Sequence, residues 1–126
     1  MIRILALVLA AVAVAVPAIA QAENPFNGNW KISFDSTRNV DLEGTVVING
    51  AVGTWGIVTH SHKNPCVGRE HPIIVQKASA EEIVFTVNRA VTLAGCKDST
   101  YIFKKIDDMT LKGELGDGRA ATLTRK

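Results

Sequence analysis

Between Val40 and Ile48, Val40, Leu42, Gly44, Val46 and Ile48 alternate with Asp41, Glu43, Thr45 and Val47. Helical side chains repeat every 3.6 residues and strand side chains every two, so only a strand keeps the first set on one face. Asn49-Gly50 follows at once, and both residue types tolerate positive φ, which marks a tight hairpin. The stretch therefore predicts a strand with one dry face and an antiparallel partner directly after it.

The same period recurs along the chain. Trp30, Ile32 and Phe34 alternate with Lys31 and Ser33, and Trp55 and Ile57 share a face in a strand over 53–60. Further strands are expected over 72–77, 83–87, 100–106, 109–115 and 119–125, which makes eight in all. One segment carries conflicting signals. Ser79-Ala-Glu-Glu82 has the form of a capping box and Gly95 could stop a helix, so a helix over 80–94 would make the fold α+β. Ile83-Val-Phe-Thr-Val87 is rich in β-branched residues, and the strand reading is preferred. Short turns pair sequential strands antiparallel. The predicted fold is all-β, a single antiparallel up-and-down barrel of eight strands, because closure removes exposed edges. An open β-sandwich is the alternative. Trp30, Phe34, Trp55, Phe85 and Phe103 are the expected core, and the outer wall shows no apolar or charged cluster.

The first residues stand apart. Arg3 precedes an uncharged apolar run from Ile4 to Val16, Pro17 ends it, and small residues follow at Ala18, Ala20 and Ala22. This is the form of a secretory signal peptide cut after Ala20 or Ala22. The run is short for a membrane anchor, and no basic stop-transfer cluster follows. Residues 1–22 are thus expected to be removed, leaving one domain over 23–126 with no membrane span, in the periplasm or secreted, as a monomer. Losing Arg3 brings basic and acidic residues almost into balance, which gives no electrostatic reason to bind nucleic acid.

Export makes a disulfide the default for Cys66 and Cys96. In a meander the connections alternate between ends. The third-to-fourth connection holds Cys66 and the fifth-to-sixth holds Cys96, so both fall at one end and a bond is allowed.

The longest stretch without strand or helix periodicity, Thr59 to Pro72, holds His60, His62 and His71 together with Cys66. His60 and His62 share a face of an extended segment, and with His71 or Glu70 folding back they could ligate zinc or copper. No cofactor is expected otherwise. Lys63, Arg69 and Glu70 charge this loop, and Arg89 and Lys97 charge its neighbour, as befits loops that bind a partner. For catalysis the chain has no G-x-S-x-G elbow, no H-E-x-x-H and no glycine-rich phosphate loop, so catalytic residues are not assigned.

Gly28-Asn29-Trp30 at the head of the first strand, with Arg125 in the last, resembles the calycin barrels: lipocalins, avidins and small bacterial protease inhibitors. The resemblance implies a Trp that closes one barrel end and a late Arg packed on it. In size and compartment the chain is similar to periplasmic inhibitors of metalloproteases and to one-disulfide barrel inhibitors of lysozyme. Lys97-Asp-Ser-Thr-Tyr101 is similar to the Ser/Gly-rich stretch ending in Tyr of the latter, without its glycines. The expected function is non-enzymatic binding or inhibition of a partner protein, a secreted hydrolase being one candidate, through loops at one barrel end. A small-ligand or metal-binding protein is the alternative, and an uncharacterised enzyme the third.

Overall fold

The computed structural model describes residues 24–34, 43–58, 65–114, 118 and 120–126; the leader with its two cleavage points lies outside them. The strands are β1 (Gly28–Phe34), β2 (Glu43–Asn49), β3 (Val52–Val58), β4 (Glu70–Ala78), β5 (Glu82–Val87), β6 (Ser99–Asp107), β7 (Thr110–Glu114) and β8 (Ala120–Arg125). Each pairs antiparallel with the next, and β8 pairs back onto β1, so they close a barrel in sequence order. The barrel expectation holds, and the sandwich and α+β alternatives fall. Among the described residues the only helix is one turn, α1 (Arg89–Thr92). No described helix is long and apolar enough to cross a membrane.

The preferred strand over 83–87 is β5, whose burial alternates with Ile83, Phe85 and Val87 inside, and the alternative helix over 80–94 does not form. The Ser79 signal was real but belongs to a turn. Glu82 N–H donates to Ser79 Oγ at 3.2 Å, while Ser79 N–H donates to the Glu82 carbonyl at 2.9 Å, closing the β4–β5 hairpin. The hairpin after β2 also differs from the sequence signal. Asn49 pairs with Val52, so the two-residue loop is Gly50-Ala51, and only Gly50 has positive φ, +66°. Glycine at the first loop position is the type II′ pattern. Its backbone is held from both sides, by Asn27 Oδ1 on Gly50 N–H at 2.7 Å and by Asn24 Nδ2–H on the Gly50 carbonyl at 2.8 Å. β4 starts at Glu70, before Pro72, and brings His71 opposite Trp55. Met109 leaves the β7 alternation for the turn and is exposed.

Inside, Trp30, Ile32, Val46, Ile48, Trp55, Ile73, Ile83, Phe85, Phe103, Leu111 and Leu123 are buried. Aromatic rings run as a column: Tyr101 stacks on Trp55 at 5.0 Å, Phe85 lies edge-on to Tyr101 at 6.1 Å, and Phe103 stacks on Phe85 at 5.6 Å. Offset and edge contacts of this kind stabilise a core beyond area burial. Phe34 is only half-buried and flanks the core rather than filling it. Contrary to expectation, the wall carries apolar groups: Val52 and Ile74 are register partners and are 55% and 43% exposed.

One barrel end is sealed by Trp30 and Arg125. These residues pair across β1 and β8, and the guanidinium carbon lies 4.2 Å from the indole centroid. The same guanidinium donates to the carbonyls of Asn27 at 2.7 Å, Pro25 at 3.1 Å and Asp108 at 3.3 Å. Gly28 passes beneath it at φ +132°, where a Cβ would stand 3.0 Å from Arg125 Nη1. At the opposite end Cys66 and Cys96 form the expected disulfide, with Cα atoms 5.7 Å apart.

Two outcomes follow. Thiol titration of the denatured, unreduced protein should find no free thiol, and Cys96→Ala should lower stability by about 3–4 kcal/mol, the loop-closure term for a bridge of this span. Titratable thiols in that sample would contradict the bond. Arg125→Ala should lower the denaturation free energy by about 2–4 kcal/mol, from the lost cation–π contact and carbonyl bonds. Arg125→Lys should recover only part of it, since an ammonium lacks the guanidinium fork; full recovery would mean that charge alone closes this end.

Candidate binding pocket at the disulfide end

The connections that carry the two cysteines leave the same end of the barrel as a matter of strand parity, and the disulfide joins them. The second connection is also tied by hydrogen bonds. Asn88 N–H donates to the Pro72 carbonyl at 2.9 Å, which docks the start of α1 on β4. Ala90 N–H donates to Asp98 Oδ1 at 3.0 Å, and Cys96 N–H donates to the Leu93 carbonyl at 3.2 Å. Asp98 is thereby spent on its own loop. Arg89, the first residue of α1, is directed over the barrel mouth.

There it meets a pocket of about 110 Å³ lined by Phe34, Trp55, Ile57, Cys66, Val67, Gly68, Arg69, His71, Arg89 and Tyr101. The stacked Trp55 and Tyr101 rings form an aromatic wall, and the Arg89 guanidinium carbon is 5.9 Å from each centroid. Arg89 Nη2–H donates to Tyr101 Oη at 3.0 Å. Arginine carries five N–H donors, and no carboxylate among the described residues takes any of those of Arg89. Arg69 stands at the rim, exposed, with its Nε–H on the Pro65 carbonyl at 3.1 Å.

His71 is 1% exposed, and its Nε2 lies 2.7 Å from the Cys66 carbonyl oxygen. A carbonyl only accepts, so this contact assigns a proton to Nε2, and in the neutral tautomer Nδ1 is the lone-pair acceptor. Nδ1 is buried and has no partner among the described residues. His71 thus anchors the disulfide loop through one nitrogen and keeps the other unused beside an apolar pocket.

Larger hollows lie elsewhere but have weaker chemistry. The one of about 290 Å³ at the sealed end contains Lys105, Asp108 and Arg125. Lys105 Nζ is 2.9 Å from Asp108 Oδ1, and its hydrogen bond and charge hold that carboxyl below the usual range. Arg125 is committed to carbonyls. The groove of about 690 Å³ on the wall, along Thr100, Ile102, Lys104 and Lys112, is shallow and open.

Of the residues singled out from sequence, Arg69, Arg89 and His71 line one pocket together with Cys66. Glu70 and Lys97 are exposed and do not line it. Lys63, His60 and His62 lie outside the described residues, and no group of three metal-ligating side chains occurs among the described ones. Sequence reading missed Tyr101 as a site residue and placed Trp55 in the core alone. The available signal was a Tyr at an inward strand position, because a buried hydroxyl needs a polar partner and so tends to sit at a mouth.

The tautomer offers a check. Ring-nitrogen NMR of the neutral form should find His71 protonated at Nε2 and bare at Nδ1. His71→Phe should lower stability by about 1–3 kcal/mol, since the Cys66 carbonyl loses its donor. A ring protonated at Nδ1 instead would contradict the assigned contact.

Compared with known proteins, the chain matches no protein-family model, no curated protein and no solved structure.

Proposed function

We propose that the protein is an exported, non-enzymatic barrel that binds or inhibits a partner protein through its disulfide end, a secreted hydrolase being the first class of partner to test. One observation carries the reading: Arg89 is held in place over a Trp55–Tyr101 stack, yet no described carboxylate pairs with it. Arginine and large aromatic rings in a pre-ordered pocket are the groups that anchor interfaces. The disulfide joins the two loops before any partner arrives, which reduces the ordering cost of binding. The seal of Arg125 on Trp30 adds to the likeness with calycin barrels, some of which are inhibitors.

A second reading, zinc or copper at His60, His62 and His71, draws on the His71 ring. A metal-ligating imidazole usually donates its other N–H to a carbonyl or carboxylate, as His71 Nε2–H does to Cys66.

One experiment addresses both. The exported protein is used to capture envelope and secreted proteins, and the same sample is analysed for metal after dialysis. Arg69→Glu and Lys97→Glu should reduce capture about tenfold or more with an unchanged melting temperature, and Lys112→Glu on the wall should leave capture intact. If Lys112→Glu weakens capture and the loop changes do not, the wall is the binding surface. Stoichiometric zinc or copper that disappears in the double variant His60→Ala with His62→Ala would favour the metal reading.

A further inference from the structure

We infer that the pocket beside Arg89 is a carboxylate site, which takes one carboxylate on a slim aromatic or apolar stem. The inference rests on the partner-binding reading only for where that carboxylate comes from. Its chemistry follows from the lining. Arg89 lines a pocket walled by Trp55, Tyr101, Phe34, Ile57 and Val67, and no described carboxylate pairs with its guanidinium, which donates from Nη2 to Tyr101 Oη. A guanidinium fork matches one carboxylate through two parallel N–H···O bonds. The apolar walls suit the rest of such a molecule and not a heavily hydrated dianion.

Other occupants fit less well. A cationic group would meet Arg89 and Arg69 at close range. A neutral apolar group would desolvate Arg89 without supplying an acceptor, which is costly for a charged group. A volume of about 110 Å³ holds several waters or a benzoate-sized acid, and lies below the 300–1,000 Å³ of usual cofactor pockets. The carboxylate can belong to a free small acid or to a protein partner, at its C-terminus or on an acidic side chain. The site chemistry is the same in each case.

The test is an NMR titration of the ¹⁵N-labelled exported protein with its disulfide formed. Probes are benzoate, benzamide and benzylamine, and a tripeptide ending in phenylalanine with a free or an amidated C-terminus. Benzoate should shift the Trp55 indole and Arg89 guanidinium signals saturably. Benzamide and benzylamine should bind at least about tenfold more weakly, the loss of one charge-assisted pair. Arg89→Gln, checked for retained signal dispersion, should abolish the preference for benzoate over benzamide, and Arg89→Lys should retain part of it. A free-acid peptide that binds tighter than benzoate, while its amide does not, assigns the carboxylate to a protein terminus; tighter benzoate assigns it to a small acid. Equal binding of benzoate and benzamide, an unchanged preference in Arg89→Gln, or no saturable shift at either side chain with any carboxylate overturns the inference. If Arg89→Gln captures a partner as well as wild type while Lys97→Glu does not, the carboxylate does not come from that partner and the partner-binding reading stands. Carboxylate binding with no captured partner has the reverse meaning.

Discussion

Closure of the barrel depends on Arg125 lying over Trp30. β1 and β8 come from opposite ends of the described chain, so their pairing carries the largest loop-closure entropy of any in the sheet. Five register pairs from Trp30–Arg125 to Phe34–Ala121 hold them. At the end of that ladder a single guanidinium joins the N-terminal segment at Pro25 and Asn27, the indole of β1, and the β6–β7 turn at Asp108. The backbone continues the seal: Arg125 N–H donates to Met109 at 2.8 Å and Lys126 N–H to Asn29 at 2.9 Å. Without this contact two long edges would face solvent, the arrangement that invites association between chains.

The two ends of the barrel use different physics, and that difference leaves one end available. At the sealed end order comes from non-covalent satisfaction, where Arg125, Lys105, Asp107 and Asp108 are each bonded to a neighbour. At the other end the order of the loops comes from a covalent bond, from His71 on the Cys66 carbonyl and from Asp98 on Ala90 N–H. None of these uses Arg89 or Arg69 in an ion pair. A loop held by a disulfide can keep its cations unpaired, because its conformation does not rely on their pairing. If this end binds a partner as proposed, substitutions at those cations would act on recognition with little effect on the core.

Much of the fold was legible because period-two alternation is a local property. Val46 and Ile48, Ile83 and Phe85, and Leu123 point inward as their spacing requires. The parity of a meander placed the two cysteines together without any distance information. Four features were not legible, each for a physical reason. Asn49-Gly50 announces a turn, but tertiary bonds from Asn24 and Asn27 decide which residues form it. The Ser79 hydroxyl accepts the same backbone N–H groups in a hairpin as at a helix start, so its spacing does not tell the two apart. Arg89 was noticed for its charge, whereas its value as an anchor lies in the Trp55 and Tyr101 rings, which reach it only after β3, β5 and β6 have paired around the barrel. The exposed Val52–Ile74 pair was hidden because each residue alone fits a strand, and only register makes them neighbours.

The size of the pocket limits the kind of recognition available to this end. A single group held in about 110 Å³ buries too little surface for tight binding by itself. An anchor of that size becomes useful when a surrounding rim excludes water and adds contacts. Arg69 stands exposed at the edge of the pocket, and Glu70 at the start of β4 and Lys97 in the β5–β6 connection are exposed at the same barrel end. On the proposed reading, mixed charge at this end would favour selection among partners and fast encounter over raw affinity. Arg89 is half-buried beside the Trp55 and Tyr101 rings, and a partly desolvated cation interacts more strongly with an anion than a fully exposed one does. On the proposed reading, anchor and rim would serve different ends: the pocket would fix which chemical group enters, and the charged loops which molecule presents it.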